Sequence, residues 1–545
     1  FFQYVAMRLL FFIGYARGAT EWLGLLEQCK DSGKVQEMYE DLPYPPRNPA
    51  DEDKRIMKDP AAHPAALLHF IHGGKLPAEP YRALVAGGGT GDASIYLALS
   101  FRQAGVPVEI VHLDVSNASV TVARQRADRH GLTSITFKQG SLTDVTPEAI
   151  GTFHHINCVG VLMALKDPLA GLKRLRTVLR PNGGMFVWLY GQLGRTGIYE
   201  YQALFRLTDI PRSQFLKDYA RPLLKALPET NWLRKNKLAW RNDFQSLPDS
   251  ELSDRLLHHC DIAHTVDQLV QLMDDSDMHL VDFHDRDNYE PPANLDPDLT
   301  KLIESFPEWT RRAAFVERLK GTIWGHNLWI VRSDHPQASS LPSAAVTADT
   351  ILCPFRLMSG TRLALDQRAV GDIRKKPSAT ICSCYLDRQH IHEVPCYSLL
   401  LFVASDCQSN LQQLLTGLEL PEYTLEHAVE DVAVLARRYP TTSGRRLYLL
   451  SEPLSMKPAE NTHTIKGVVF KSMYEDVQWP DEDPDEAPAA GETTTTPAAS
   501  SASATAPPAA DSGSSARVAA LEREVIMLKA QLARATQAAN DKNDL

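Results

Sequence analysis

Cysteine is scarce here: the 545 residues contain eight, mostly scattered. A dense disulfide framework is therefore excluded, and a reducing compartment, the cytoplasm, is expected. Basic charge is also in deficit. With 57 Lys and Arg against 67 Asp and Glu the formal net charge is −10, which excludes a broad positive face for duplex nucleic acid. Nor is there an apolar run fit to cross a bilayer. Phe1 to Tyr15 is apolar but broken by Arg8 and short of the ~20 residues a span requires. We read residues 1–34 as a helical segment packed on the protein. The chain begins with Phe1 rather than Met, which leaves room for a targeting segment ahead of it.

What the chain does have is Leu84-Val85-Ala86-Gly87-Gly88-Gly89-Thr90-Gly91-Asp92, an apolar strand breaking into glycines ahead of the helix-compatible Ala93 to Leu99. Such a turn presents bare backbone and the unpaired N–H groups of a helix start to a nucleotide-type ligand. Val108 to Asp114 reads as the next strand, ending in a carboxylate suited to ribose hydroxyls. The glycine spacing discriminates between ligands. Counting from Gly87 gives G-x-G-x-G, and Asp92 stands where the dinucleotide pattern G-x-G-x-x-G wants its third glycine, so NAD fits less well.

The compact turn, with Asp114 lying 23 residues beyond Gly91, resembles motif I of the class I S-adenosylmethionine-dependent methyltransferases. The resemblance continues in order through Asp114-Val115-Ser116, Gly140-Ser141-Leu142, Cys158-Val159-Gly160-Val161-Leu162, Asp167 to Leu172, Leu179 to Gly184 and Leu189-Tyr190-Gly191. The wording of motif I and of Tyr190 to Tyr199 is most similar to a subgroup sometimes fused to tetratricopeptide repeats, though no such repeat is found here. The implied fold is α/β: a Rossmann-like doubly wound sheet, mostly parallel, with an antiparallel closing strand.

The resemblance implies S-adenosyl-L-methionine as cofactor, held by Gly87, Gly88, Gly89, Thr90, Gly91, Asp92, Asp114, Val115, Ser141, Leu142, Cys158 and Val159. Asp114 would take the ribose. Ser141 stands where the family often has an acid for the adenine amino group. Two further departures are notable. Val85 replaces the acid common two positions before the first glycine, a usual brace of the loop or the methionyl amine. Met163-Ala164 replaces a frequent His-His, removing a candidate base. Because a sulfonium methyl is already activated, in-line displacement needs alignment rather than an enzyme nucleophile or a metal, and no catalytic residue is assigned.

For the acceptor, Tyr39 and Tyr44 in the proline-stiffened Tyr39 to Arg47 segment, together with Tyr190, Arg195 and Tyr199 beyond the fifth strand, are candidates. Aromatic packing and cap packing are the plainer roles for the same side chains. The acceptor, a small molecule or a protein side chain, is not specified by these residues.

The methyltransferase domain is expected over 35–333, with a helical cap at about 197–276 and a closing hairpin from His279 to Phe283 and Asn327 to Val331. A linker at 334–350 would lead to a small α/β, winged-helix-like unit at 351–475. There Cys382, Cys384, His390, His392 and Cys396 have C-x-C and H-x-H spacing that suits strand faces better than zinc. An acidic and Ala-Pro-Ser-Thr stretch over 476–515 cannot bury enough to fold. Within 516–540, Val518, Leu521, Val525, Leu528 and Leu532 make a heptad seam for a short coiled coil that would support a homodimer. Two other functions stay open: a methyltransferase-fold scaffold without transfer activity, and an NAD-dependent oxidoreductase.

Overall fold

The computed structural model describes residues 32–54, 56–235, 246–292, 294–342 and 346–356. Beyond these it describes the segments 363–364, 381–386, 389–395, 408–418, 424–438, 445–454, 462–465, 468–471 and 477–478. The chain divides into two compact units, 1–483 and 484–545. All described residues belong to the first. The segment 1–31, nearly all of 476–515, and the heptad seam lie outside them.

Seven strands form the central sheet: β1 (Tyr81–Ala86), β2 (Val108–Asp114), β3 (Ile135–Gln139), β4 (Phe153–Val159), β5 (Leu179–Tyr190), β6 (Met278–Phe283) and β7 (Gly325–Arg332). Their order is β3-β2-β1-β4-β5-β7-β6. The first five run parallel, and β7 is antiparallel to both β5 and β6. β1 and β4 are buried along nearly their whole length, as parallel strands covered on both faces must be; β1 reads as a nearly continuous apolar run, whereas β4 also buries His154, His155 and Asn157.

Helices cover both faces. In chain order they are α1 (Ser32–Asp41), α2 (Pro64–Ile71), α3 (Asp92–Gln103), α4 (Asn117–Arg129), the single turn α5 (Pro147–Ile150) and α6 (Pro168–Thr177). On one side Phe70, Phe101 and Ala127 share a core with Tyr81, Val85 and Trp329. On the other, Leu172 and Leu175 of α6 pack with Ile156, Val187 and Leu328. Pro181-Asn182-Gly183-Gly184, a turn-prone sequence, is absorbed into β5. Pairing with β4 jumps from Phe153 opposite Leu179 to His155 opposite Gly184, so Arg180 to Gly183 form a break in register inside one strand.

The cap consists of α7 (Thr196–Arg206), α8 (Arg212–Asp218), α9 (Ala220–Ala226), α10 (Trp232–Lys235) and α11 (Asp249–Leu256). It has an apolar core of its own around Ile198, Tyr201, Phe215, Leu252 and Leu256. It ends earlier than expected: α12 (Val266–Asp275) buries Val266, Leu269 and Met273 in the core of the sheet. The two closing strands also differ from a hairpin, because α13 (Pro297–Glu304) and α14 (Trp309–Lys320) separate them and β7 inserts between β5 and β6.

The stretch expected as a linker is partly buried, with His335 and Leu341 covered. Beyond it, β8 (Ile351–Arg356) pairs antiparallel with β12 (Arg445–Leu450). Tyr448, Leu450 and Leu454 join the core around α2. The Leu449 N–H donates to Nδ1 of His69 at 3.3 Å and the Ser451 N–H to the carbonyl of Gly74 at 3.0 Å. Here the expected separate unit shares the core of the first domain. The rest comprises β9 (Leu363–Ala364), β10 (Ile381–Leu386), β11 (Gln389–Pro395), α15 (Leu411–Leu418), α16 (Leu425–Arg438), β13 (Thr462–Ile465), β14 (Val468–Lys471) and β15 (Val477–Gln478). β10 and β11 set Cys384 opposite His392; their side chains and Cys396 lie outside the description.

Candidate active site

Parallel strands leave a crevice at their C-terminal edge where the strand order reverses. A cavity of about 860 Å³ opens there, between β1, β2, β4, α1 and the cap. Gly87, Gly88 and Gly89 form one wall with Asp92, Asp114, Val115, Ser141, Leu142 and Val159. The loop is bound to the end of β2: the Gly87 and Gly88 N–H groups donate to the carbonyl of Leu113 at 2.7 and 3.0 Å. The Gly89 N–H donates to Oδ2 of Asp114 at 2.8 Å.

The glycines are demanded by neighbouring protein atoms. A Cβ on Gly87 would lie 2.2 Å from Cγ2 of Val161, on Gly88 2.3 Å from the His112 ring, and on Gly89 2.5 Å from the carbonyl oxygen of Tyr44. Gly89 also has φ +52, a region that side chains disfavour.

Asp114 faces the cavity beside Gly89. Its Oδ1 accepts the Ser116 N–H at 2.9 Å, and Ser116 itself caps α4 by accepting the Ser119 N–H at 3.0 Å. The helix therefore has its own cap, and Asp114 is left at the wall. Burial pushes its pKa up, opposed by these backbone N–H groups. A carboxylate offers about four lone-pair positions, more than the backbone N–H groups of Gly89, Val115 and Ser116 take up.

The segment after α1 is latched over the loop. Thr90 donates its hydroxyl to the Pro45 carbonyl at 2.7 Å and its N–H to the Tyr44 carbonyl at 3.2 Å. Arg47 grips both oxygens of Asp92 at 2.6 to 3.1 Å. Buried Arg126 joins Asp92 at 2.7 Å to Glu52 at 2.6 Å. Burial would raise the pKa of Asp92, but the hydrogen bonds and charge of the two arginines outweigh it and hold the carboxyl below its ordinary value.

The opposite wall belongs to α1 and the cap. Tyr39 donates to Oδ1 of Asp254 at 2.8 Å and lies 3.1 Å from Nε2 of His258. Nδ1 of His258 accepts the Cys260 N–H at 3.0 Å, which leaves its proton on Nε2, pointing at the Tyr39 oxygen. Burial lowers the His258 pKa to about 4 and raises that of Asp254 to about 6. Tyr44 donates to Glu251 at 3.4 Å, and Glu251 is paired with Arg255 at 2.7 Å. Tyr190, Trp188 and Trp324 complete this end.

Five expected site residues stand behind the walls. Thr90 is buried with its hydroxyl spent on Pro45, Gly91 is the left-handed N-cap of α3 against Ala123, and Cys158 is wholly inside the sheet core. Arg195 is fully buried, ion-paired with Asp261, its guanidinium 3.4 Å above the Tyr190 ring. Tyr199 reaches the same Asp261 at 3.4 Å. Arg195 thus braces Tyr190 from behind, Tyr199 shares its Asp261, and neither lines the cavity.

The sequence reading missed Asp59, Asn157, Glu251, Asp254, Arg255 and His258, all on the cavity wall. The cap residues carried a signal: 251, 254, 255 and 258 repeat at helical spacing as a polar stripe between leucines.

A parallel five-strand sheet closed by an antiparallel pair, with this glycine-loop cavity, defines a Rossmann-like methyltransferase fold. Residues 79–197 match the family model described as "Methyltransferase domain", and the domain implies S-adenosylmethionine as cofactor. An uncharacterized protein of Synechococcus sp. is 29% identical over 309 residues, 56% of this chain and 72% of that protein. The ubiquinone biosynthesis O-methyltransferase of Acinetobacter baylyi is 24% identical over 115 residues, 21% of this chain and 45% of that enzyme. Among solved structures, PKMT2 from Rickettsia typhi superposes with a TM-score of 0.52 at 15% identity, covering 72% of this chain and 76% of that one. The same protein in complex with AdoHcy gives 0.51 at 13% identity, covering 73% and 78%. No helix among the described residues is long and apolar enough to cross a membrane.

Proposed function

We propose that the chain is an S-adenosylmethionine-dependent methyltransferase whose donor and acceptor meet in this cavity. The observation that supports it most is the junction of Gly89 and Asp114, 2.8 Å apart, at the switch point of the sheet. When bound, the cofactor supplies a sulfonium methyl group open to in-line attack. Asp114 holds the ribose hydroxyls, Val115 and Leu142 flank the adenine, and Ser141 with nearby Asp144 receives its amino group. Gly87 to Gly89 and Asp92 line the methionyl side.

Tyr39, Tyr44 and Tyr190 shape the acceptor's place, and the latched Tyr44 to Arg47 segment keeps water from the reacting centre. Asp254, whose pKa stands at about 6 through burial, accepts the proton an attacking hydroxyl or amine must lose. Tyr39, itself met by His258, holds that carboxylate in position. The acceptor is a small molecule or protein side chain carrying such a group.

The test has two parts. Calorimetry measures S-adenosylmethionine binding to the purified chain, and cell extract incubated with isotopically labelled methyl donor is searched by mass spectrometry for labelled products. Transfer should fall at least tenfold in Asp254→Asn with donor binding kept. Absence of donor binding by the parent chain rejects the reading; binding without transfer to any component would favour the scaffold.

A further inference from the structure

The strand that delivers the glycine loop has Val85 two positions before Gly87, so no carboxylate comes from β1 itself. One stands beside it from elsewhere. Asp59, in the loop before α2, lines the cavity together with Val85, Gly87 and Asn157. Asn157 is the β4 residue directly opposite Val85 in the ladder, and it donates its side-chain N–H to Oδ2 of Asp59 at 3.4 Å. The other carboxylate oxygen accepts the Ala61 N–H at 2.9 Å, which fixes the group as the lead-in to a tight turn.

Among the described residues no cation compensates Asp59. Asp92 is paired with two arginines and Glu251 with one, whereas among the described residues no ion pair forms at Asp59. Burial raises its pKa to about 6, with the Asp92 charge adding to the rise. An ionised carboxylate kept in such a corner is costly unless a positive group meets it. The same cavity is lined by Gly87 of the loop and by Asn157 and Val159 of β4, where the amino-acid arm of a donor lying along the loop would finish.

We propose that Asp59 receives the α-ammonium of the methionyl arm of S-adenosylmethionine, doing from the loop before α2 what β1 cannot do at Val85. This rests on the reading of the cavity as a methyl-donor site. The carboxylate and the ammonium form a charge-assisted hydrogen bond in a shielded corner, with Asn157 and the Ala61 N–H holding the carboxylate in aim.

The test compares two ligands on two proteins by calorimetry: S-adenosylmethionine, and 5′-methylthioadenosine, which keeps the adenosyl thioether but lacks the amino-acid arm. Asp59→Asn retains an oxygen for the Ala61 N–H, and a melting curve checks that it folds. Loss of a charged partner should weaken S-adenosylmethionine by about tenfold to a hundredfold, with 5′-methylthioadenosine unchanged within about twofold. Equal weakening of both ligands overturns the proposal by making Asp59 merely structural. Unchanged S-adenosylmethionine affinity overturns it while leaving the donor site standing. If the parent chain binds neither ligand, the donor site and the proposal fall together.

Discussion

Replacing Gly89 with alanine adds one carbon at the most crowded point of the loop. Two costs follow. Holding a side-chain residue at φ +52 costs about 1–2 kcal/mol. The new Cβ would also lie 2.5 Å from the Tyr44 carbonyl oxygen, so that carbonyl must retreat. With it go the Thr90 N–H bond to Tyr44 and the Thr90 hydroxyl bond to Pro45, each worth about 1 kcal/mol. The loop also carries the N–H that meets Asp114, and any shift moves that carboxylate's partner. Together these amount to about 3–4 kcal/mol, or roughly a 150-fold to 900-fold loss if charged to the donor-bound state. Calorimetry with S-adenosylmethionine reads the affinity, and proteolysis within 44–47 reads release of the latch. The buried sheet core does not depend on this latch, so the melting temperature should fall by only a few degrees. Parent-like affinity with parent-like protease resistance would refute the reasoning.

Two further outcomes follow from charge. Arg195→Met removes the cation that neutralises Asp261 in a site closed to water, and should destabilise by about 3–5 kcal/mol. Denaturant unfolding checks this, and the accompanying loss of Asp261 in Arg195→Met/Asp261→Leu should restore most of the stability. For Asp59, a folded pKa raised to about 6 from 3.8 means that the folded state binds its proton more tightly than the unfolded state. Its contribution is fully favourable below about pH 4 and is lost as pH rises through 6, a penalty of at most about 3 kcal/mol before cavity water screens it. Asp59→Asn without ligand should therefore be more stable than the parent at pH 7.5, with the difference vanishing near pH 4. A pH-independent difference in denaturant midpoints would contradict this.

What could be read from the residues follows how local the cause is. The strand ends at Ala86 and Asp114 were legible because an apolar run stops at a glycine or a carboxylate, and the boundary of β2 agrees residue for residue. The Ser116 cap of α4 has an equally local cause, since a cap is decided within three residues. Arg195 was not: whether its guanidinium faces a ligand or a buried Asp261 depends on chain 66 residues away. Asp59 was missed for the same reason. Nothing near it in sequence hints that Asn157, 98 residues on, will fix its carboxylate. The extent of the cap misled because α12 has the same amphipathic pattern whether it covers the cap or the sheet.

The join between α2 and β12 has a consequence for how the polypeptide is made. Leu449 meets His69 across 380 positions, so during synthesis the apolar flank of α2 stays uncovered until those intervening residues have been made. Segments this distant close slowly, and a nascent chain with an open flank is prone to stick to its neighbours. A gene trimmed after Arg332 would leave that flank open for good, however complete its seven strands.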